Sequence, residues 1–130
     1  MLSGYDRKVL NVVIPDPAAD RRVTLLKVPA QHSYTFKVFE AALDRDLAGS
    51  GTNFIKLTLE NGGTEGTVQT RISGTAGGTV GFSANVASSG AMEAADKLTA
   101  GQYLNLFYDE EGTVAPGNIS LHIEYLDGVE

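Results

Sequence analysis

The chain has no cysteine and no tryptophan, and only two histidines. Without cysteine there are no disulfides, no thiolate metal sites and no cysteine nucleophile. Without tryptophan it lacks the side chain most favoured for stacking on sugars and for anchoring protein interfaces. Two isolated histidines, His32 and His122, do not supply the cluster of imidazoles and a carboxylate that a cupin-type metal site gathers on barrel strands. Long apolar runs are missing too, since no stretch approaches the ~18 residues of a membrane-spanning helix. The start, Met1-Leu2-Ser3-Gly4-Tyr5-Asp6, has neither the basic region nor the apolar run of a secretory signal. Neither export by that route nor membrane spanning is expected, and a reducing cytosol is compatible with the composition.

Positive charge is also scarce. Ten Lys/Arg against sixteen Asp/Glu leave a net charge of -6, which argues against general nucleic-acid binding because phosphate neutralisation needs clustered bases. The charge is uneven. Residues 1–40 hold six bases (Arg7, Lys8, Arg21, Arg22, Lys27, Lys37) and four acids, or +2, and the other ninety hold four bases and twelve acids, or -8. Such asymmetry can orient docking on a protein surface of mixed sign, or simply be an uneven solvated surface.

What is present is alternation. With 130 residues, 42% hydrophobic, and 15 glycines, the chain has the size of one globular domain with many turns. Tyr5 to Ile14 ends at Ile14-Pro15-Asp16-Pro17, where two prolines remove ladder donors, so residues 1–22 read as an extended N-terminal arm or an edge strand. Residues 23–130 read as the β domain. Arg22 to Val28, at its start, is a strand stopped by Pro29. From Tyr34, the residues Tyr34, Phe36 and Val38 face one side while Thr35, Lys37 and Phe39 face the other. Glu40 to Thr52 reads as a loop with a helical turn around Ala41 to Leu47.

Phe54 to Glu60 is a further strand, closed by the turn signal Asn61-Gly62-Gly63. Thr67 to Ser73 and Thr79 to Val86 read as a hairpin with a glycine-rich tip at Gly74 to Gly78. The one helix expected is Ala91 to Leu98, with Ser89 as a cap and Gly101 as a stop. Gln102 to Tyr108 and Asn118 to Leu126 close the chain as an alternating pair read as a hairpin, with Ile119, Leu121, Ile123 and Tyr125 on one face. Seven or eight antiparallel strands with one short helix predict an all-β, jelly-roll-like sandwich.

Reactive chemistry is not concentrated anywhere. His122 falls on the outward face of its strand between Ser120 and Glu124, which fits a solvated or cross-strand hydrogen-bonded ring better than a catalytic base. His32, after Pro29-Ala30-Gln31, reads as an exposed loop residue. Asp44-Arg45-Asp46 and Asp109-Glu110-Glu111 offer hard oxygen ligands on loops, without the ligand spacing of a calcium-binding hand. A glycosidase needs two carboxylates about 5 to 9 Å apart across a cleft, and the acids here sit at strand ends. Tyr34, Phe36, Phe54, Phe82 and Tyr125 fall at alternating positions that suit a core. Gly74-Thr75-Ala76-Gly77-Gly78 lacks the Gly-Lys-Ser/Thr ending of a phosphate loop. The expectation is a non-enzymatic protein without metal, cofactor or small-molecule substrate.

An acidic, cysteine-free β chain with a proline-marked N-terminal segment, glycine-tipped hairpins and the closing strand Pro116-Gly117-Asn118-Ile119-Ser120-Leu121-His122-Ile123-Glu124-Tyr125 resembles tailed-bacteriophage virion proteins. Among these it is most similar to the capsid decoration, or cement, proteins. The resemblance implies a jelly-roll or related domain, made in the host cytoplasm, that sits on the capsid exterior of the virion. It implies a homo-oligomer, a trimer ahead of a dimer, bridging neighbouring major capsid protein subunits. It also implies that the N-terminal segment, with Arg7, Lys8, Arg21 and Arg22, is the docking element. The alternatives are a receptor- or carbohydrate-binding sandwich of a phage tail or secreted system, and a small hydrolase with an unrecognised acid pair.

Overall fold

The computed structural model describes residues 5–48, 52–61, 70–73, 82–89 and 97–129. These form nine strands: β1 Tyr5–Ile14, β2 Arg21–Lys27, β3 His32–Leu43, β4 Phe54–Asn61, β5 Thr70–Ser73, β6 Ser88–Ser89, β7 Lys97–Thr99, β8 Tyr103–Glu111 and β9 Ile119–Val129. One sheet runs β1-β9-β3-β6, with β7 also on β3, and the other runs β2-β8-β4-β5. All pairings are antiparallel. The all-β sandwich expected from the alternation is what the chain forms.

The pairings are nested: β1 with β9, β2 with β8, β3 with β7, and β4 with β5. The chain is therefore one long antiparallel ribbon, doubled back at β4–β5 and rolled up. The contacts β3·β9 and β4·β8 seal the roll into two sheets, which is the jelly-roll arrangement. This corrects the expected C-terminal hairpin, because β8 and β9 belong to different sheets. Their connection carries Gly112 (φ +70°) and Gly117 (φ +72°) and is too long for a tight turn. It carries the chain across the sandwich, so the apolar faces of the two strands meet through the core.

Alternation puts Ile119, Leu121 and Ile123 of β9, Leu104, Leu106 and Tyr108 of β8, and Ile55, Leu57 and Leu59 of β4 inside. Each fully buried Leu or Ile contributes about 1.5–3 kcal/mol by leaving water. In β3 the register slips between Phe36 and Val38. Lys37 is the extra, exposed residue of a bulge, so Phe36 and Phe39 both reach the core and the simple alternation expected over Tyr34 to Phe39 breaks there. A second bulge lies in β2 between Thr24 and Leu26.

Other expectations are revised. Ala41 to Leu43 continue β3 instead of starting a helical turn, because they pair with Leu121 to Ile119. Leu47 makes an isolated bridge to Phe82. Ala84 to Val86 do not form a strand, since Asn85 takes φ +61° and Val86 N–H donates back to Ser83 O. The described part of the expected Thr67–Ser73 strand, β5, pairs with β4. Of the expected helix, residues 91–96 lie outside the described residues, and Lys97 and Leu98 belong to β7. The turn at Gly62-Gly63 and the tip at Gly74 to Gly78 lie outside them as well.

Candidate functional site

Because Ile119, Leu121 and Ile123 point into the core, Ser120, His122 and Glu124 point out from the five-stranded sheet. Register sets them in rows across three strands. Asn11, His122 and Glu40 lie side by side, as do Val13, Ser120 and Ala42, and Val9, Glu124 and Val38.

A chain of hydrogen bonds ties this face together. Arg7 Nε donates to Glu124 Oε1 at 2.9 Å, and His122 Nε2 lies 2.8 Å from Glu124 Oε2. The other ring nitrogen, Nδ1, lies 2.8 Å from Asn11 Oδ1. The hydrogen bond from His122, followed by that from Arg7, holds the Glu124 carboxyl below its ordinary 4.5. Both imidazole nitrogens are engaged, so neither is left to take a proton from Ser120 in the same strand. Ser120, His122 and Glu124 thus have the composition of a hydrolytic triad and its acid–imidazole bond, but the second ring nitrogen meets Asn11 in place of Ser120.

Beside this chain the face is concave. A cavity of about 310 Å³ is lined by Asn11, Val13, Ala42, Ala87, Ser120 and His122, with Glu40 at its side. Its floor is small, Ala42 and Ser120, and its rim includes Val13, 62% exposed. Glu40 accepts a long hydrogen bond, 3.5 Å, from Ser89 Oγ.

No protein family, curated protein or solved structure matches this chain.

The four basic residues read from the sequence as a docking element are not brought into one patch. Arg7 and Lys8 are successive residues of β1 and so point to opposite faces, and Arg21 and Arg22 are on β2 in the other sheet. Arg7 is bound to Glu124, and Arg22 Nε donates to Glu60 Oε1 at 2.9 Å. The Arg22 guanidinium also lies 4.0 Å from the Phe107 ring centre. Lys8 and Arg21 are exposed and form no ion pair among the described residues.

His32 is the first residue of β3 and half-buried, rather than an exposed loop residue. Its Nδ1 lies 2.7 Å from Asp127 Oδ1, and its ring meets Tyr34 edge-on at 6.4 Å. Phe36 and Phe82 are core, and Tyr34 and Tyr125 pack on them as partly buried rings. Phe54 instead stands on the outer face of the second sheet. That face carries Tyr103, Phe107 and Phe54, and each ring has a cation over it: Lys27 at 5.4 Å, Arg22 at 4.0 Å and Lys56 at 5.4 Å.

Acids gather where β8 passes the β1–β2 turn. Burial, then Asp20 and Glu111, pushes the Asp109 carboxyl up, and burial, then Asp20 and Asp16, does the same to Glu110. Asp20 Oδ1 accepts the Glu110 backbone N–H at 2.8 Å. These acids are not among the residues lining the cavity. Among the described residues no three His, Asp or Glu side chains come together as metal ligands. Sequence reading missed the Arg7–Glu124–His122–Asn11 chain. The spacing His122-x-Glu124 was visible, but its other half comes from β1 at the far end of the chain.

Proposed function

We propose that this protein is a virion structural protein, a capsid decoration (cement) protein that binds the outside of a phage head. In that role the outer face of the five-stranded sheet lies against major capsid protein subunits and bridges them. The observation that carries the reading is the concave patch beside β1. It has a floor of Ala42 and Ser120, an exposed Val13 at its rim, and a polar surround whose hydrogen-bonding groups are largely engaged with one another. Such a patch offers shape and apolar contact to another protein, and its one imidazole is tied at both nitrogens. Many copies with modest individual affinity then hold a shell by effective concentration.

The alternative, a carbohydrate-binding module, draws support from the aromatic side chains outside the second sheet. Each of those rings already has a cation over one face, which leaves less open surface for stacking a sugar.

The test is co-sedimentation with assembled heads and with free capsid subunits. Binding to heads that weakens at least about tenfold when Ala42→Arg fills the floor, with the circular dichroism spectrum unchanged, supports the reading. Failure to bind heads, binding indifferent to Ala42→Arg, or a specific glycan-array signal overturns it.

A further inference from the structure

A sheet edge exposes unpaired N–H and C=O groups, and proteins normally blunt it by shortness, bulges or charge. Among the described residues the sandwich has four such edges. On one side the described lengths of β6 and β7 are two and three residues and that of β5 is four. On the other, β2 is bent by its bulge and carries Arg21, Arg22 and Lys27. β1 is the exception: ten residues, paired with β9 without a register slip, and unpaired along its other side among the described residues. Its last seven residues, Lys8-Val9-Leu10-Asn11-Val12-Val13-Ile14, hold one charge, and Val9 and Val13 are 53% and 62% exposed.

We infer that β1 pairs with β1 of a second copy of this chain, antiparallel and about a two-fold axis through Asn11. An isologous antiparallel junction needs its axis perpendicular to the sheet, so outward residues meet outward residues and core-facing residues meet core-facing ones. Among such registers, the one centred on Asn11 sets Val9 against Val13 of the second copy and Leu10 against Val12, each twice, with Asn11 against Asn11. From residue 9 to residue 13 apolar meets apolar and amide meets amide, and one charged residue, Lys8, falls against Ile14 at each end of the paired stretch. Centring on Val9 sets Arg7 against Asn11 and Lys8 against Leu10. Centring on Leu10 sets Arg7 against Val13. Centring on Val12 leaves a shorter overlap that runs into Pro15, which has no N–H to donate. In the Asn11 register Asp6 and Arg7 fall beyond the paired stretch, in solvent. The second copy, unlike an unrelated strand, supplies this matching from the same seven residues.

The same geometry fixes what the pair presents. The axis is normal to the sheet, so both concave patches point the same way, and two weak contacts become one bivalent contact. A two-fold junction consumes the open edge of both copies, so it ends at two rather than at the trimer implied by the resemblance. The pairing itself does not depend on the decoration reading, and its test is made without capsids.

The experiment is light scattering behind size exclusion, with sedimentation velocity, on the full chain and on two variants of the exposed valines. A mass of two copies is expected for the wild type. V9K/V13K sets lysine against lysine twice and is expected to raise the dimer dissociation constant about tenfold or more. V9K/V13E sets lysine against glutamate twice in the Asn11 register and is expected to restore the dimer. Melting curves that match the wild type establish that both variants remain folded. A monomer or a trimer as the wild-type species, or an undiminished V9K/V13K dimer, overturns the inference. If V9K/V13E stays monomeric alongside V9K/V13K, the register is wrong.

Discussion

Removing Arg22 tests what holds the outer face of the second sheet. Glu60 is 1% exposed, and Arg22 lies 2.9 Å from it with its own side chain 48% exposed. Breaking a fully buried ion pair by deleting one partner costs about 3–5 kcal/mol, because the remaining charge stays out of water. Here one partner reaches solvent, which screens the pair and lets water approach the carboxylate, so the cost falls to about 2 kcal/mol. Losing the stack on Phe107 adds about 0.5 kcal/mol. Arg22→Met, which keeps much of the stem, should therefore lower the unfolding free energy by about 2–2.5 kcal/mol in urea titrations with an unchanged slope. Adding Glu60→Gln to that variant should recover about half of the loss, since the buried charge disappears. A loss under about 0.5 kcal/mol, or no coupling in the double-mutant cycle, would refute the argument that Glu60 depends on Arg22.

Other expectations follow from buried groups. Tyr108 Oη is buried with no hydrogen-bond partner among the described residues, and burial with Glu110, Asp16 and Asp20 nearby pushes its pKa far up. Tyr108→Phe should then be neutral or stabilising by up to about 1 kcal/mol, and a clear loss in thermal unfolding would reveal a partner for the hydroxyl. Gly117→Ala should cost about 2–3 kcal/mol, because φ is +72° and a Cβ there collides with Asp44 Oδ1 and Arg45 Nε. An unchanged melting temperature would contradict that. Glu110 has a raised folded pKa, so its contribution favours folding at low pH and is lost as pH rises through that value. Glu110→Gln should thus stabilise by about 0.5 kcal/mol at pH 7, and the gain should vanish below pH 4.5, the ordinary value of the group. A gain that persists at acid pH would point to packing instead.

The sandwich was legible because its signal is local. Ile119, Leu121 and Ile123 alternate with Ser120, His122 and Glu124, and this period of two needs no partner to be recognised. Partnership was not legible. Gln102–Tyr108 and Asn118–Leu126 follow one another and look like a hairpin, yet each pairs with a strand from the other end of the ribbon. A bulge at Lys37 shifts the phase of β3, and nothing in Phe36-Lys37-Val38-Phe39 announces an inserted residue. The site suffered most. Clustering Arg7, Lys8, Arg21 and Arg22 by sequence ignored that adjacent strand residues face opposite ways and that β1 and β2 lie in different sheets. His122 and Glu124 were visible two residues apart, but Asn11 and Arg7 reach them only through the β1·β9 register.

That nested pairing also sets an order of events during synthesis. Tyr5 aligns with Gly128 and Ile14 with Ile119, so β1 leaves the ribosome well before β9 and waits for it before its paired edge is satisfied. Until then its valine-rich half is bare on both sides, a hazard of premature cross-pairing between nascent chains. Closing the outermost turn of the roll joins parts of the chain far apart in sequence, and non-local pairing of that kind slows folding. Asp6, Arg7 and Lys8, next to the apolar stretch, are placed where charge discourages such encounters until β9 arrives.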